Sequence, residues 1–301
     1  MLKIFSVILF ILASGFLLLP FYSFAVTVGP VKMEYSVDPG GIIEGKLFLM
    51  NETGGTQTFY PSFEKFIEVS GEKQFLPKES TELARWFKTE NSITLGAGEQ
   101  KNVPFVIEIP QNAPPGGHFA VIWWSTAPPD GPGARIVTRA GILVYLRVSG
   151  DIKESGEVLS FDAVKFHNWL PVNFNLIFKN TGNVHLKPTG EIKIKNIFGI
   201  TKAVLSPNPN TLQVLPESEK SFTLAWNSEK WGGFAFGPYS AKLNLIYGEE
   251  QKEISKKIWF FVFPWKISLI AILVLLILIF GFTKGIKRYN RWIINKAQNV
   301  R

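Results

Sequence analysis

Cysteine is absent from the 301 residues. That excludes disulfides, thiolate metal sites and a cysteine nucleophile, so any exported domain must be held by its core alone. The lack suits a bacterial surface protein better than a eukaryotic ectodomain. Histidine is scarce, with His118, His167 and His185 far apart and in no HExxH or similar metal spacing. Neither GxSxG nor a phosphate-binding Walker loop occurs. No catalytic residue, metal ligand or cofactor is therefore expected, and the chain reads as a non-enzyme. Helical periodicity is missing from residues 26–263, where β-branched and aromatic runs alternate with Gly and Pro breaks.

Acidic residues are absent from the last stretch of the chain. From Phe260 to Phe282 runs FFVFPWKISLIAILVLLILIFGF, whose one charge is Lys266. Trp265–Phe282 would span roughly 27 Å as a helix, close to the ~30 Å hydrocarbon core. Trp265 and Lys266 suit an interface, the Lys by snorkelling. Lys284, Lys287, Arg288, Arg291, Lys296 and Arg301 follow with no acid between them. Basic residues beside a span stay in the cytoplasm, which predicts an outside location for everything before Phe260. At the other end, residues 1–25 carry Lys3, an apolar stretch from Ile4 to Leu19, Pro20, and small residues at Ser23 and Ala25. This predicts a signal peptide cleaved after Ala25, with an uncleaved first span as the alternative.

The net charge of +8 rests on 32 basic and 24 acidic residues. Eight of the bases flank the two membrane segments, so the exported part holds 24 of each sign. Its neutrality argues against a nucleic-acid partner.

The expected fold is all-β: two tandem immunoglobulin-like sandwiches, residues 26–150 and 151–263, then a transmembrane helix over 264–283 and a basic cytoplasmic tail over 284–301. The first domain's expected strands are Val31–Val37, Lys46–Asn51, Thr58–Val69, Ser92–Leu95, Val103–Ile109, Phe119–Thr126 and Ile136–Val148. The second's are Glu157–Phe166, Val172–Asn180, Gly190–Ile197, Thr211–Leu215, Ser221–Trp226, Ser240–Tyr247 and Lys252–Phe263. The halves read as copies of one plan, with apolar strands ending at Asn51 and Asn180 and later glycine-led strands at Gly117 and Gly237. Asn51-Glu-Thr53 matches a glycosylation sequon, which we read as chance.

The candidate binding residues are aromatic. In Phe119–Thr126, alternation sends Trp123 and Trp124 to opposite faces, one into the core and one outward for a sugar or a protein partner. Ser125 shares the Trp123 face, which favours Trp123 as the outward member. His118 precedes this pair, Trp86 sits on an expected short helical turn, and Trp231 lies with Phe234 on a Gly-rich loop. The Pro/Gly-rich loop Ala127–Ala134 is a further candidate for recognition.

Several stretches carry a family resemblance: MEYSVDPGGIIEGKLFLMNETG, ITLGAGEQKNVPFVIEIPQNAPPGGHFAVI and RAGILVYLRVSG in the first half, and FNLIFKNTGNVHLKPTGEIKIKNIFG with GPYSAKLNLIY in the second. Their order and content resemble the WxL-interacting proteins of Gram-positive-type bacteria, a peptidoglycan-binding domain followed by a second Ig-like domain and a membrane anchor. The resemblance implies a surface scaffold holding peptidoglycan or another surface protein. The alternative is a chaperone-like or assembly subunit of a membrane complex, acting by strand addition. With no Trp-x-Leu triplet the chain is not itself a WxL protein, and with no LPxTG motif transfer to the wall by sortase is not expected.

Overall fold

A strand that changes sheets partway along opens each domain. In the computed structural model, which describes residues 26–69, 71–76, 82–128, 137–227 and 234–298, the first domain begins with β1 (Val26–Gly29). It pairs antiparallel with β3 (Ile42–Asn51) in one sheet. Past Pro30 the chain crosses over. β2 (Lys32–Val37) then runs parallel to β10 (Arg139–Val148) in the facing sheet. The second domain repeats the move. β11 (Gly156–Ala163) joins β13 (Val172–Asn180), and β12 (Phe166–His167) then runs parallel to β18 (Lys252–Val262).

The first domain is a sandwich of two sheets. One has the order β1-β3-β8-β6, with β8 at Gln100–Glu108 and β6 at Phe87–Thr89. The other has the order β2-β10-β9-β4-β5, with β9 at Gly116–Ser125, β4 at Gln57–Val69, β5 at Glu72–Leu76, and the short β7 (Ile93–Leu95) also on β4. A single helical turn, α1 (Leu83–Trp86), leads into β6. The second domain pairs a sheet β11-β13-β16 with a sheet β12-β18-β17-β14-β15. Here β14 is Thr189–Asn196, β15 Thr201–Leu205, β16 Glu219–Trp226 and β17 Gly237–Tyr247. These are immunoglobulin-like sandwiches, as the strand pattern predicts.

Period-two alternation builds both cores. In β13, Val172, Phe174, Leu176 and Phe178 are buried, while Asn173, Asn175 and Lys179 face out or sit half-buried. In β8, Val103, Phe105 and Ile107 are buried between Asn102 and Glu108. The first core gathers these with Leu47, Leu49, Phe59, Ile122, Trp124 and Val144. Each such side chain contributes roughly 1.5–3 kcal/mol by leaving water. The second core centres on aromatic contacts: Phe174 to Phe260 at 5.5 Å and Trp226 to Tyr239 at 5.0 Å between ring centres.

By contact density the chain divides into two units. The first runs to Ser155 and takes in Asn180–His185 and Leu215–Glu219; the second holds Gly156–Lys179, Leu186–Val214 and the chain from Lys220 onward.

Three expectations need correction. Thr211–Leu215 is not a strand: it makes one isolated bridge, Leu186 with Val214, whereas Thr201–Leu205 forms the unpredicted strand β15. β1, β5 and β6 are additional strands in the first domain. The apolar helix does not stop near residue 283. α2 runs unbroken from Trp265 to Gln298 and carries the bases from Lys284 to Lys296 on it. It is long and apolar enough to cross a membrane. The expected signal peptide and most of the Ala127–Ala134 loop lie outside the described residues.

Candidate binding surface of the first domain

The two neighbouring tryptophans of β9 have opposite fates. His118, Ala120, Ile122 and Trp124 point toward the sandwich interior, and Phe119, Val121 and Trp123 point to the outer face of the sheet. Trp124 is fully buried, and its Nε1 has no hydrogen-bond partner among the described residues. It is core, and so is Trp86, which is 8% exposed. Neither presents a surface to a partner, contrary to the expectation that placed them among the contact residues. Burial of bulky apolar area outweighs exposure for a contact, which is why the first-domain core claimed them.

Trp123 is half-buried on the outer face. Its cross-strand neighbour on β10 is Gly141, and on β4 it is Ser62. The small pair leaves room for the indole to lie over the sheet. A Cβ on Gly141 would come within 2.6 Å of the ring. Trp123 Nε1 donates to Glu64 Oε2 at 3.0 Å, and Arg139 Nη1 donates to the other oxygen of the same carboxylate at 2.9 Å. The Arg139 guanidinium lies 4.1 Å from the centre of the indole ring. Phe75 of β5 meets the ring edge-on at 5.1 Å. Arg139 and Phe75 remain substantially exposed. The result is a composite patch of indole, guanidinium, phenyl and carboxylate, drawn from β9, β10, β5 and β4.

The outer face beside this patch is apolar and is covered by Leu215 and His185 of the same unit. Phe66, Phe119, Val121, Tyr145 and Leu215 form a second buried cluster there, against which Trp123 and Leu143 pack. Burial, then the charge of Glu34, pushes the Tyr145 hydroxyl well above the ordinary tyrosine pKa. Burial and the Lys32 charge lower that of Lys73. β5 is the last strand of its sheet, so among the described residues no strand pairs with its outer edge.

His118 and Trp86 come together, with ring centres 4.7 Å apart. The His118 Nε2 lies 2.9 Å from the Pro114 carbonyl oxygen and its Nδ1 3.6 Å from a Glu82 carboxylate oxygen. His118, Glu82 and Pro114 line an open cleft of about 330 Å³ together with Lys65 and Pro115. The cleft holds no serine, threonine or cysteine as a nucleophile, and no group of three His, Cys, Asp or Glu poised for a metal exists among the described residues. His118 links Trp86 of α1 to the Pro114 carbonyl just before β9. Trp231 lies outside the described residues.

Sequence reasoning missed Glu64, Phe75 and Arg139. Their signal was there only in three dimensions, since each sits on a different strand and pairing register alone brings them to Trp123.

No family model matches the chain, and no curated protein matches it. Among solved structures it is similar to the class 5 fimbriae chaperone CfaA, at 15% identity and a TM-score of 0.40, over 78% of this chain and 99% of that one. It is similar too to the E. coli chaperone DraB, at 10% identity and a TM-score of 0.36, over 79% and 97%. The CupB2 chaperone of Pseudomonas aeruginosa matches at 10% and 0.35, over 77% and 98%. Likeness at this level speaks to neither partner nor activity.

Proposed function

We propose that this chain is a membrane-anchored, exported binding protein that holds a protein partner on the outer face of its first domain. The partner adds a strand to the free edge of β5 and lays its side chains over Phe75 and Trp123. The observation that carries this reading is the closure of the Trp123 indole. A flat sugar needs an open aromatic face, whereas here Arg139 lies over the ring and Glu64 takes its N–H. Trp, Arg and Phe clustered around a half-buried centre are instead the residue types that dominate protein–protein contacts. The neighbouring unpaired strand edge supplies backbone donors and acceptors for β-augmentation. Anchoring rests on α2, and the bases Lys284, Lys287, Arg288 and Arg291 on its far end support a cytoplasmic C-terminus with both domains outside.

The test is site-specific photocrosslinking in cells of origin carrying the full chain. A benzophenone amino acid at Phe75 should capture one defined protein, and the capture should vanish in the Arg139→Ala background; the same probe at Glu250 should capture nothing. In parallel, the detergent-solubilised protein is sedimented with insoluble wall. Wall binding that is lost in Trp123→Ala, without a crosslinked protein at Phe75, would replace this reading with the peptidoglycan scaffold that the family resemblance implies.

A further inference from the structure

The second domain carries its most exposed aromatic residues at the end of the sandwich from which α2 departs. Phe198 is 82% exposed and Phe166 is 76%. Strand register puts them on one level. Phe166 pairs with Phe261, and His167 with Val262, the last residue of β18. Across the same sheet, Asn196 pairs with Tyr239 and Tyr239 with Phe260. The β14–β15 turn, Ile197-Phe198-Gly199-Ile200, continues beyond that row. At ~3.3 Å per residue it extends roughly 7 Å past Phe260, level with Val262 and the start of the helix.

The turn is built to hold these side chains outward. Asn196 Oδ1 accepts from the backbone N–H of Phe198 at 3.2 Å and of Ile200 at 2.9 Å. Gly199 takes the left-handed φ of 77° that the turn needs, and its N–H reaches the Asn196 carbonyl at 3.0 Å. A fixed turn that presents two isoleucines and a phenylalanine to water is costly unless something apolar meets it. On the other side of the same end, Phe236 packs on Phe263 at 5.6 Å and Phe234 on Trp169 at 5.8 Å, with Phe234, Phe236 and Phe263 all exposed. Trp169, Pro264 and Trp265 line an apolar cleft of about 290 Å³ at the first turn of α2.

Charge follows the same geometry. Lys165, Lys195, Lys202 and Lys266 flank these aromatics and are exposed. No acid occurs in Ala163–Gly190, in Ile192–Pro216 or from Ile254 to the end of the chain. Two residues after β18 the chain enters the helix, so whatever bilayer receives α2 lies at this level.

We propose that this end of the second domain is itself a lipid-docking surface. The Ile197–Ile200 turn and the surrounding aromatic collar sit in the headgroup layer of the bilayer that α2 crosses, with the lysines on acidic headgroups. Aromatic belts and basic rims at this depth are what an interfacial contact requires. The inference rests on the anchoring reading and goes beyond it: a tethered domain standing clear of the lipid would have no use for the collar.

The absence of cysteine makes the test direct. Single cysteines replace Ile197, Glu250 or Leu275 in the full chain. Glu250 lies on the turn after β17, at the opposite end of the sheet. Each is labelled with an environment-sensitive NBD probe and reconstituted into vesicles of phosphatidylcholine and phosphatidylglycerol. The probe at 197 should emit to the blue of the probe at 250, lose quenching by aqueous iodide and gain quenching by spin-labelled lipid. The probe at 275 reports the helix alone. If 275 is in lipid while 197 is as open to iodide as 250, the docking surface is overturned and the anchor stands. If 275 is open to iodide, both fall.

Discussion

Asn51 and Asn180 perform the same task in the two domains. Each ends a core strand, each is fully buried, and each ties down the turn that follows. Asn51 Nδ2 donates to the carbonyls of Gly55, Leu95 and Gly96 at 2.8–3.0 Å, and its Oδ1 accepts from the Thr53 N–H and hydroxyl. Asn180 Nδ2 donates to the Val184 carbonyl and its Oδ1 accepts from the Gly182 N–H. The backbone N–H groups match as well, Asn51 bonding the Glu99 carbonyl and Asn180 that of Ser218. Asn51 thus begins a glycosylation sequon without being available to a transferase.

Replacing Asn51 by alanine takes this partner from the Leu95 and Gly96 carbonyls and the Thr53 N–H, while the Thr53 hydroxyl and Gly55 carbonyl keep each other. With an unsatisfied buried group costing about 1–3 kcal/mol, the expected loss is on the order of 3 kcal/mol. Asn51→Asp should be as harmful, because it turns an oxygen toward those carbonyls. Thermal melting of the full chain in detergent checks both, and an unchanged melting temperature for either would refute the assignment.

Trp124 and Trp123 should separate cleanly under truncation. Trp124→Ala empties a fully buried site and should cost ~3–5 kcal/mol. Trp124→Phe should cost less, since the indole N–H has no partner to lose. Trp123→Ala should leave the melt within about 1–2 kcal/mol of the parent, as expected for a half-exposed residue, while abolishing capture at Phe75. Equal large losses from both would mean that the patch is structural.

Gly141→Ala tests how the indole is seated. A methyl 2.6 Å from the ring must push Trp123 off the sheet and away from Glu64. Intrinsic fluorescence should shift relative to the parent, and partner capture should fall with little change in melting. Glu64→Gln is the companion variant. It keeps an acceptor for the indole and weakens the pair with Arg139, an exposed interaction worth about 0–1 kcal/mol.

Tyr145 gives a pH signature. Its folded pKa lies above the ordinary value of 10.0 because burial, and then Glu34, oppose the phenolate. Above pH 10.0 the unfolded chain releases this proton and the folded chain retains it, so stability is full below that pH and falls as pH rises. Tyr145→Phe should match the parent at neutral pH and lose stability less steeply in the alkaline range. Denaturant midpoints across that range provide the measurement; parallel curves would refute it.

Much of the fold was legible because alternation is strong where both sheets bury one face. Val172–Asn180 is a strand with the bounds its pattern predicts. Thr211–Leu215 was misread because its local chemistry competes with the ladder. Asn208 accepts from the Leu212 N–H and donates to the Leu212 and Pro188 carbonyls, which holds the segment as a loop. The crossing at Pro30 was hidden because Val26–Gly29 and Lys32–Val37 belong to different sheets, and composition does not say which. At the candidate site, alternation put Trp123 and Trp124 on opposite faces, and Ser125 on the Trp123 face favoured Trp123 as the outward one. It could not show that Arg139 and Glu64 would cap the indole, since that depends on register across three strands. The expected strand Gly190–Ile197 runs one residue into the turn after Asn196, whose exposure is a property of the hairpin and not of the residues.

The placement of β18 has a mechanical side. It is the strand that passes directly into α2, and it is hydrogen-bonded along its whole length to β17, from Lys252 opposite Tyr247 to Val262 opposite Gly237. Tension applied through α2 would pull on β18 from its C-terminal end. The ladder is then loaded in shear, so its bonds resist together instead of opening one after another from an end. A domain pulled through a strand laddered in this way resists without unravelling at the point of attachment.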